Sequence, residues 1–173
     1  GRAMMIVAKD DATPGNREYN LYWTSTTDRF GFAVFSSVDI GTNLEANSFG
    51  APSLATWYFV VVWYDATANT MNIQVNNGTV DSVSKGTLQA SGGANFRIGG
   101  RDYVGFLDYW DGLIDEVGFW KRVLTSDERT QLYNSGNGLA YPFSSNRPLY
   151  FKSIFSSNLH SQNSHLGYIR PDK

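Results

Sequence analysis

The run Trp57-Tyr58-Phe59-Val60-Val61-Val62-Trp63-Tyr64 constrains this chain more than any other stretch. Every residue in it is aromatic or β-branched. Such side chains lose χ1 freedom in a helix and pack well on a pleated surface. No polar residue interrupts the run, so the strand is expected at the centre of a sheet, buried on both faces. Trp57 and Trp63, with Trp120 further on, are assigned to the core.

Shorter segments carry the same signal at lower strength. Met4–Lys9, Tyr19–Trp23 and Arg29–Ser36 read as strands, separated by loops rich in turn formers such as Asp10-Asp11-Ala12-Thr13-Pro14-Gly15-Asn16. In the third of these, Phe30, Phe32, Val34 and Ser36 share one face, and Gly31, Ala33 and Phe35 the other. Met71–Val75 alternates apolar with polar and runs into Asn76-Asn77-Gly78, residues that accept the positive φ of a tight hairpin. Phe96–Gly99 and Leu113–Trp120 follow. One helix is expected near residues 126–134. Thr125 and Glu128 form a capping box at its start, and Gly136 offers a stop. Many short strands with one short helix specify an all-β antiparallel sandwich, or jelly roll.

Length fits one domain. From Ser144 the composition shifts, with seven serines and three asparagines by His165 and only Pro148–Phe155 resembling a strand. The sandwich is therefore placed at residues 1–143. Residues 144–173 are read as a Ser/Asn-rich appendage or, alternatively, an extra edge strand.

Composition removes whole classes of function. Fourteen basic residues against sixteen acidic leave a formal charge of −2 with no basic cluster, so no nucleic-acid partner is expected. The absence of cysteine excludes disulfides, thiol catalysis and cysteine-based zinc sites. No apolar run is long enough for a membrane-spanning helix, so no membrane insertion is expected.

Three segments together carry a family resemblance. They are Trp57–Gly78, Phe96-Arg97-Ile98-Gly99-Gly100, and Trp110-Asp111-Gly112-Leu113-Ile114-Asp115-Glu116-Val117-Gly118-Phe119-Trp120 continuing through Leu124-Thr125-Ser126-Asp127-Glu128 to Leu132-Tyr133. With the opening Lys9…Arg17-Glu18-Tyr19, the chain resembles laminin-G-like domains of the concanavalin A-like superfamily. The resemblance implies a recognition module of a larger secreted or surface protein, in an extracellular or cell-surface setting. It also implies strands ahead of Met4 that this chain lacks, and hence an exposed sheet edge open to self-association unless the tail or a partner fills it.

Within that likeness, three chemistries are weighed. Glycoside hydrolases of the superfamily set two acids on one strand face, close enough to act as nucleophile and acid. Here alternation puts Asp111, Leu113 and Asp115 on one face and Ile114 and Glu116 on the other, so that pair does not form and no enzyme is expected. Calcium is the second. The loop from Gly100 to Asp111 resembles a ligand loop of the related pentraxins. Asp102, Asp108 and Asp111, with Asn16 and Glu18 nearby in that likeness, are the candidate metal ligands. Sugar is the third. Tyr103, Phe106, Tyr109 and Trp110 offer rings for stacking, and Arg101 with the loop acids offers hydrogen bonds. The expected function is non-catalytic binding of a glycan or glycoprotein surface, with or without Ca2+. The alternative is an adhesion module that packs against another chain or itself, and glycoside hydrolysis is the lesser alternative.

Overall fold

The computed structural model describes residues 2–11, 13–36, 40–86, 88, 92–103, 106–139 and 164–171, with backbone alone at 102–103, 106–107 and 164–168. Two five-stranded antiparallel sheets stack face to face. The first runs β4 (Gly41–Glu45), β3 (Arg29–Phe35), β2 (Tyr19–Thr24), β1 (Ala3–Lys9), β8 (Phe96–Ile98). The second runs β11 (Gly112–Trp120), β12 (Ser164–Pro171), β5 (Tyr58–Asp65), β6 (Thr70–Val75), β7 (Val80–Ser84). A two-stranded ribbon, β9 (Asp102–Tyr103) and β10 (Phe106–Leu107), rises between β8 and β11 in sequence, and helix α1 covers Ser126–Tyr133.

Two-residue alternation builds the interior. Phe30, Phe32 and Val34 of β3 join Ile6, Leu21, Val60, Val62 and Ile73 between the sheets, while Ala33 and Phe35 pack on the outer face with Met5, Ala8 and Tyr22. The strand β5 is dry on both sides for a specific reason. Tyr58, Val60, Val62 and Tyr64 face the main core, and Phe59, Val61 and Trp63 face Leu124 and Leu132 at the helix. Burying a leucine such as Leu132 contributes about 1.5–3 kcal/mol, which docks a helix too short to be stable alone. Thr125 and Glu128 close the predicted capping box, and the helix ends one residue early, with Asn134 in the left-handed region at φ 47°.

Two expectations are corrected. Trp57 is not a core residue. It precedes β5, is 41% exposed, and lies with the Arg170 guanidinium 5.7 Å from its ring centre. The hydrophobic run begins one residue before the pleat does, so Trp57 falls in the connection ahead of the strand. Trp63 is buried and Trp120 packs partly buried beside it. The second correction concerns residues 144–173. The part described there is neither appendage nor edge. β12 lies inside the second sheet, pairing with β11 from Gly112↔Pro171 to Trp120↔Ser164 and with β5 from Ser164↔Trp63 to Ile169↔Tyr58. Ile169 is wholly buried, so this strand belongs to the sandwich despite the boundary drawn at residue 143. The strand-like Pro148–Phe155 lies outside the described residues.

Candidate functional site

One excursion of the chain gathers most of the residues singled out above. It leaves β8 at Gly99, whose φ of +81° suits glycine and whose N–H donates to the Ile6 carbonyl at 2.7 Å. It returns at Asp108, whose carbonyl accepts from Met5 N at 3.1 Å, and Trp110 N then donates to the Gly99 carbonyl at 3.0 Å. Both feet of the loop are therefore pinned to β1 or to each other.

A chain of charges locks the base. Arg101 donates from Nε to Asp108 Oδ2 at 3.0 Å and from Nη1 to Asp10 Oδ2 at 2.5 Å. Asp10 is buried, and it also accepts from Arg17 Nε at 2.9 Å and from Asn20 Nδ2 at 2.9 Å. Arg17 in turn lies 3.9 Å from the centre of the Phe35 ring. A buried carboxylate is tolerated only when so paired and hydrogen-bonded. Asp10 escaped the sequence reading because it sits among turn formers, yet it extends the outward phase of Ala8 onto a covered sheet face.

Above this base lies an open cleft of about 220 Å³, lined by Arg97, Ile98, Gly99, Gly100, Arg101 and Tyr109. Tyr109 is half exposed. Its ring lies against Gly100, where a Cβ would come within 2.6 Å of Cδ1, so the missing side chain of the glycine leaves room for the ring. Arg97 and Gly100 entered the sequence analysis through the family resemblance and not as site residues. Nothing in residue type marks them, since only the return of the loop beside β8 brings them to Tyr109.

The other expected site residues divide. Trp110 does not line the cleft. It is 9% exposed, packed in the main core, with Nε1 donating to the Leu113 carbonyl at 3.3 Å. Asp111 is exposed. The backbones of Asp102–Tyr103 and Phe106–Leu107 pair as the ribbon, while the side chains of Asp102, Tyr103 and Phe106 lie outside the described residues. Asn16 and Glu18 are used elsewhere. Asn16 Oδ1 accepts from Gly93 N at 2.8 Å, and Glu18 Oε1 accepts from Gly92 N at 2.7 Å while pairing with Lys9.

These contacts decide the fit to calcium. A calcium ion takes six to eight oxygens, usually with several carboxylates turned toward it. Here Asp108 and Asp10 converge on the Arg101 guanidinium, and Asn16 and Glu18 tie down a different loop. Among the described residues, no group of three or more Asp, Glu or His is placed to hold a metal. The described residues do not fit a calcium ion.

Little in the arrangement suits acid–base work either. Alternation along β11 breaks at Glu116, where φ is +51° and the register slips between Asp115 and Gly118. Asp115 instead accepts from Glu116 N at 2.9 Å. On β2, burial, with Glu45 adding to it, pushes the Tyr22 hydroxyl up to about 12, and burial with nearby Glu18 raises Tyr19 beyond the usual phenol range.

Residues 1–128 match the sequence model of a laminin-G-like family, described as the concanavalin A-like lectin/glucanases superfamily. Neither a curated protein nor a solved structure matches the chain at significance. The match spans most of the sandwich and agrees with two stacked antiparallel sheets, and the chain belongs to the laminin-G-like family of the concanavalin A-like lectin/glucanases superfamily.

Proposed function

We propose that this domain is a non-catalytic recognition module that binds carbohydrate in the cleft between Arg97 and Tyr109. The observation that carries the reading is the Tyr109 ring, half exposed and laid on Gly100 beside two arginines. A sugar presents a C–H face to such a ring, and its hydroxyls accept from guanidinium and backbone N–H groups. The ion pairs of Arg101 with Asp10 and Asp108 fix the cleft's floor before any ligand arrives, which lowers the ordering cost of binding.

A glycan array, followed by titration calorimetry on the best hit, tests this. Tyr109→Ala is expected to weaken binding about tenfold or more by removing the stacking face. Gly100→Ala should do nearly as much by lifting the ring, since its added methyl meets Tyr109 and not the core. Both variants should keep the wild-type circular dichroism. Binding that survives both would place the sugar elsewhere. A packing or adhesion role is favoured by an adjoining surface, the open side of the sandwich at Phe96, Ile98 and Phe119, which shares Ile98 with the cleft.

A further inference from the structure

Register fixes where the edge side chains of β8 and β11 point. Ile98 pairs with Val7, a core residue, so Ile98 and Phe96 turn toward the interior. Phe119 shares its phase with Val117, which packs on the core, and pairs with His165, itself opposite Val62 of the core. Inward-facing residues of a closed sandwich are dry. These are not: Phe96 is 41% exposed, Ile98 55% and Phe119 45%. Phe96 and Phe119 meet edge to face across the two sheets, with ring centres 6.3 Å apart at 76°. The last course of the core is therefore open to water on this side. Contiguous exposed apolar side chains between two sheet edges mark an interaction surface.

We propose that this open side is the interface of a twofold homodimer in which the β8 edge of one copy lies against the β11 edge of the other. Charge selects both the occupant and the arrangement. On the outward faces, out of phase with the apolar residues, β8 carries Arg97 and β11 carries the exposed Asp115. A twofold axis perpendicular to the sheets would set β8 against β8 and Arg97 against the partner's Arg97. An axis along the strands sets β8 against β11 and brings Arg97 to the partner's Asp115 on both sides. Opposite charges favour the second and like charges penalise the first. A net charge of −2 leaves little long-range repulsion between copies. The bulge at Glu116 interrupts the β11 edge, and a self-complementary patch closes as a pair and does not propagate as a fibre. Arg97 and Ile98 also line the cleft, so the dimer would carry two clefts near its junction.

This inference rests on the packing reading and is tested without any glycan, so failure of sugar binding leaves it standing. Sedimentation velocity of the 173-residue chain across micromolar to millimolar concentrations should show a monomer–dimer equilibrium. Phe119→Glu should raise the dissociation constant about tenfold or more with unchanged circular dichroism. Arg97→Glu alone should weaken the dimer, and Arg97→Glu combined with Asp115→Arg should restore it. A monomer at every concentration would overturn the proposal, as would a dimer indifferent to Phe119→Glu. A charge swap that fails to rescue would do the same, and so would closure of the seam by a foreign extended peptide on a monomer.

Discussion

Asp10 is the residue on which the candidate site depends most, although it does not itself line the cleft and acts through Arg101, which does. Its buried carboxylate receives Arg17, Asn20 and Arg101 together, and through Arg101 it fixes Asp108 and the returning foot of the loop. Removing one partner of a buried pair leaves the other charge uncompensated, at a cost of about 3–5 kcal/mol. Arg17 keeps some access to water, which puts Asp10→Asn at the lower end of that range. Urea unfolding of Asp10→Asn should therefore show a loss of about 3 kcal/mol, with weaker glycan binding at temperatures where the variant is still folded. The same network bears on calcium. A site held at a hundred times its dissociation constant adds about 2.7 kcal/mol, or roughly 5–10 °C for a domain of this size. With the Arg101 guanidinium set between Asp10 and Asp108, the melting temperature of the wild-type chain should be the same in EDTA and in millimolar calcium. A shift of that size would mean that Asp102, whose side chain lies outside the described residues, takes part in a site.

At the scale of elements, α1 shows how a local device serves a distant strand. Its hydrophobic contribution is small, since Leu132 is its buried residue. Its start is over-determined. Glu128 accepts from Thr125 N at 2.9 Å, and Arg122 donates to it from both Nη atoms at 2.6 Å. The Arg122 hydrogen bond comes first among the causes that hold the Glu128 carboxyl below its ordinary range. A depressed carboxylate stabilises the fold fully above its unfolded pKa, near 4.3, and that contribution is lost as pH falls through the lower folded value. Glu128→Gln keeps an acceptor for Thr125 N but loses the ion pair with Arg122, and should thus lower the melting temperature at neutral pH by a few degrees, the size of a partly exposed ion pair of about 1 kcal/mol. The gap between the two proteins should close as pH falls below about 4, and a gap that widened in acid would contradict the assignment. The capping box was legible from Thr125 and Glu128 alone, because its logic is local. So were the strands whose faces differ, such as β3 with Phe30, Phe32 and Val34 turned inward. Of the edge strands, β8 and β11 were legible and β4 and β7 were not. β4 (Gly-Thr-Asn-Leu-Glu) and β7 (Val-Asp-Ser-Val-Ser) are short and largely polar, so alternation has little to act on. The site divides along the same line. Tyr109 and Arg101 stand out by residue type, while Arg97, Gly100 and Asp10 matter only through neighbours far away in sequence.

For the whole molecule, the decisive strand is the one the sequence concealed. The sequence Ser164-His165-Leu166-Gly167-Tyr168-Ile169-Arg170-Pro171 follows a Ser/Asn-rich stretch and contains glycine and proline, features of a linker. Its place between β11 and β5 supplies what its composition does not advertise, a full ladder on each side and a buried Ile169. The second sheet cannot assemble until Trp63, Trp120 and Ser164 meet, so the domain should fold as one cooperative unit with a high proportion of non-local pairing. Ile169→Ala tests the packing, with an expected loss of about 2–5 kcal/mol in a single transition. A chain ending at residue 163 tests the topology. It would expose two facing edges, those of β5 and β11, and lose the layer that holds Ile114 to Tyr58 across the sheet. Such a chain should lack native tryptophan fluorescence and aggregate. A synthetic peptide covering residues 164–171, added in excess, should restore the native spectrum by strand complementation. A shortened chain that keeps the native spectrum alone would show that β11 and β5 can close directly, and that β12 is an addition to the sandwich and no part of its frame.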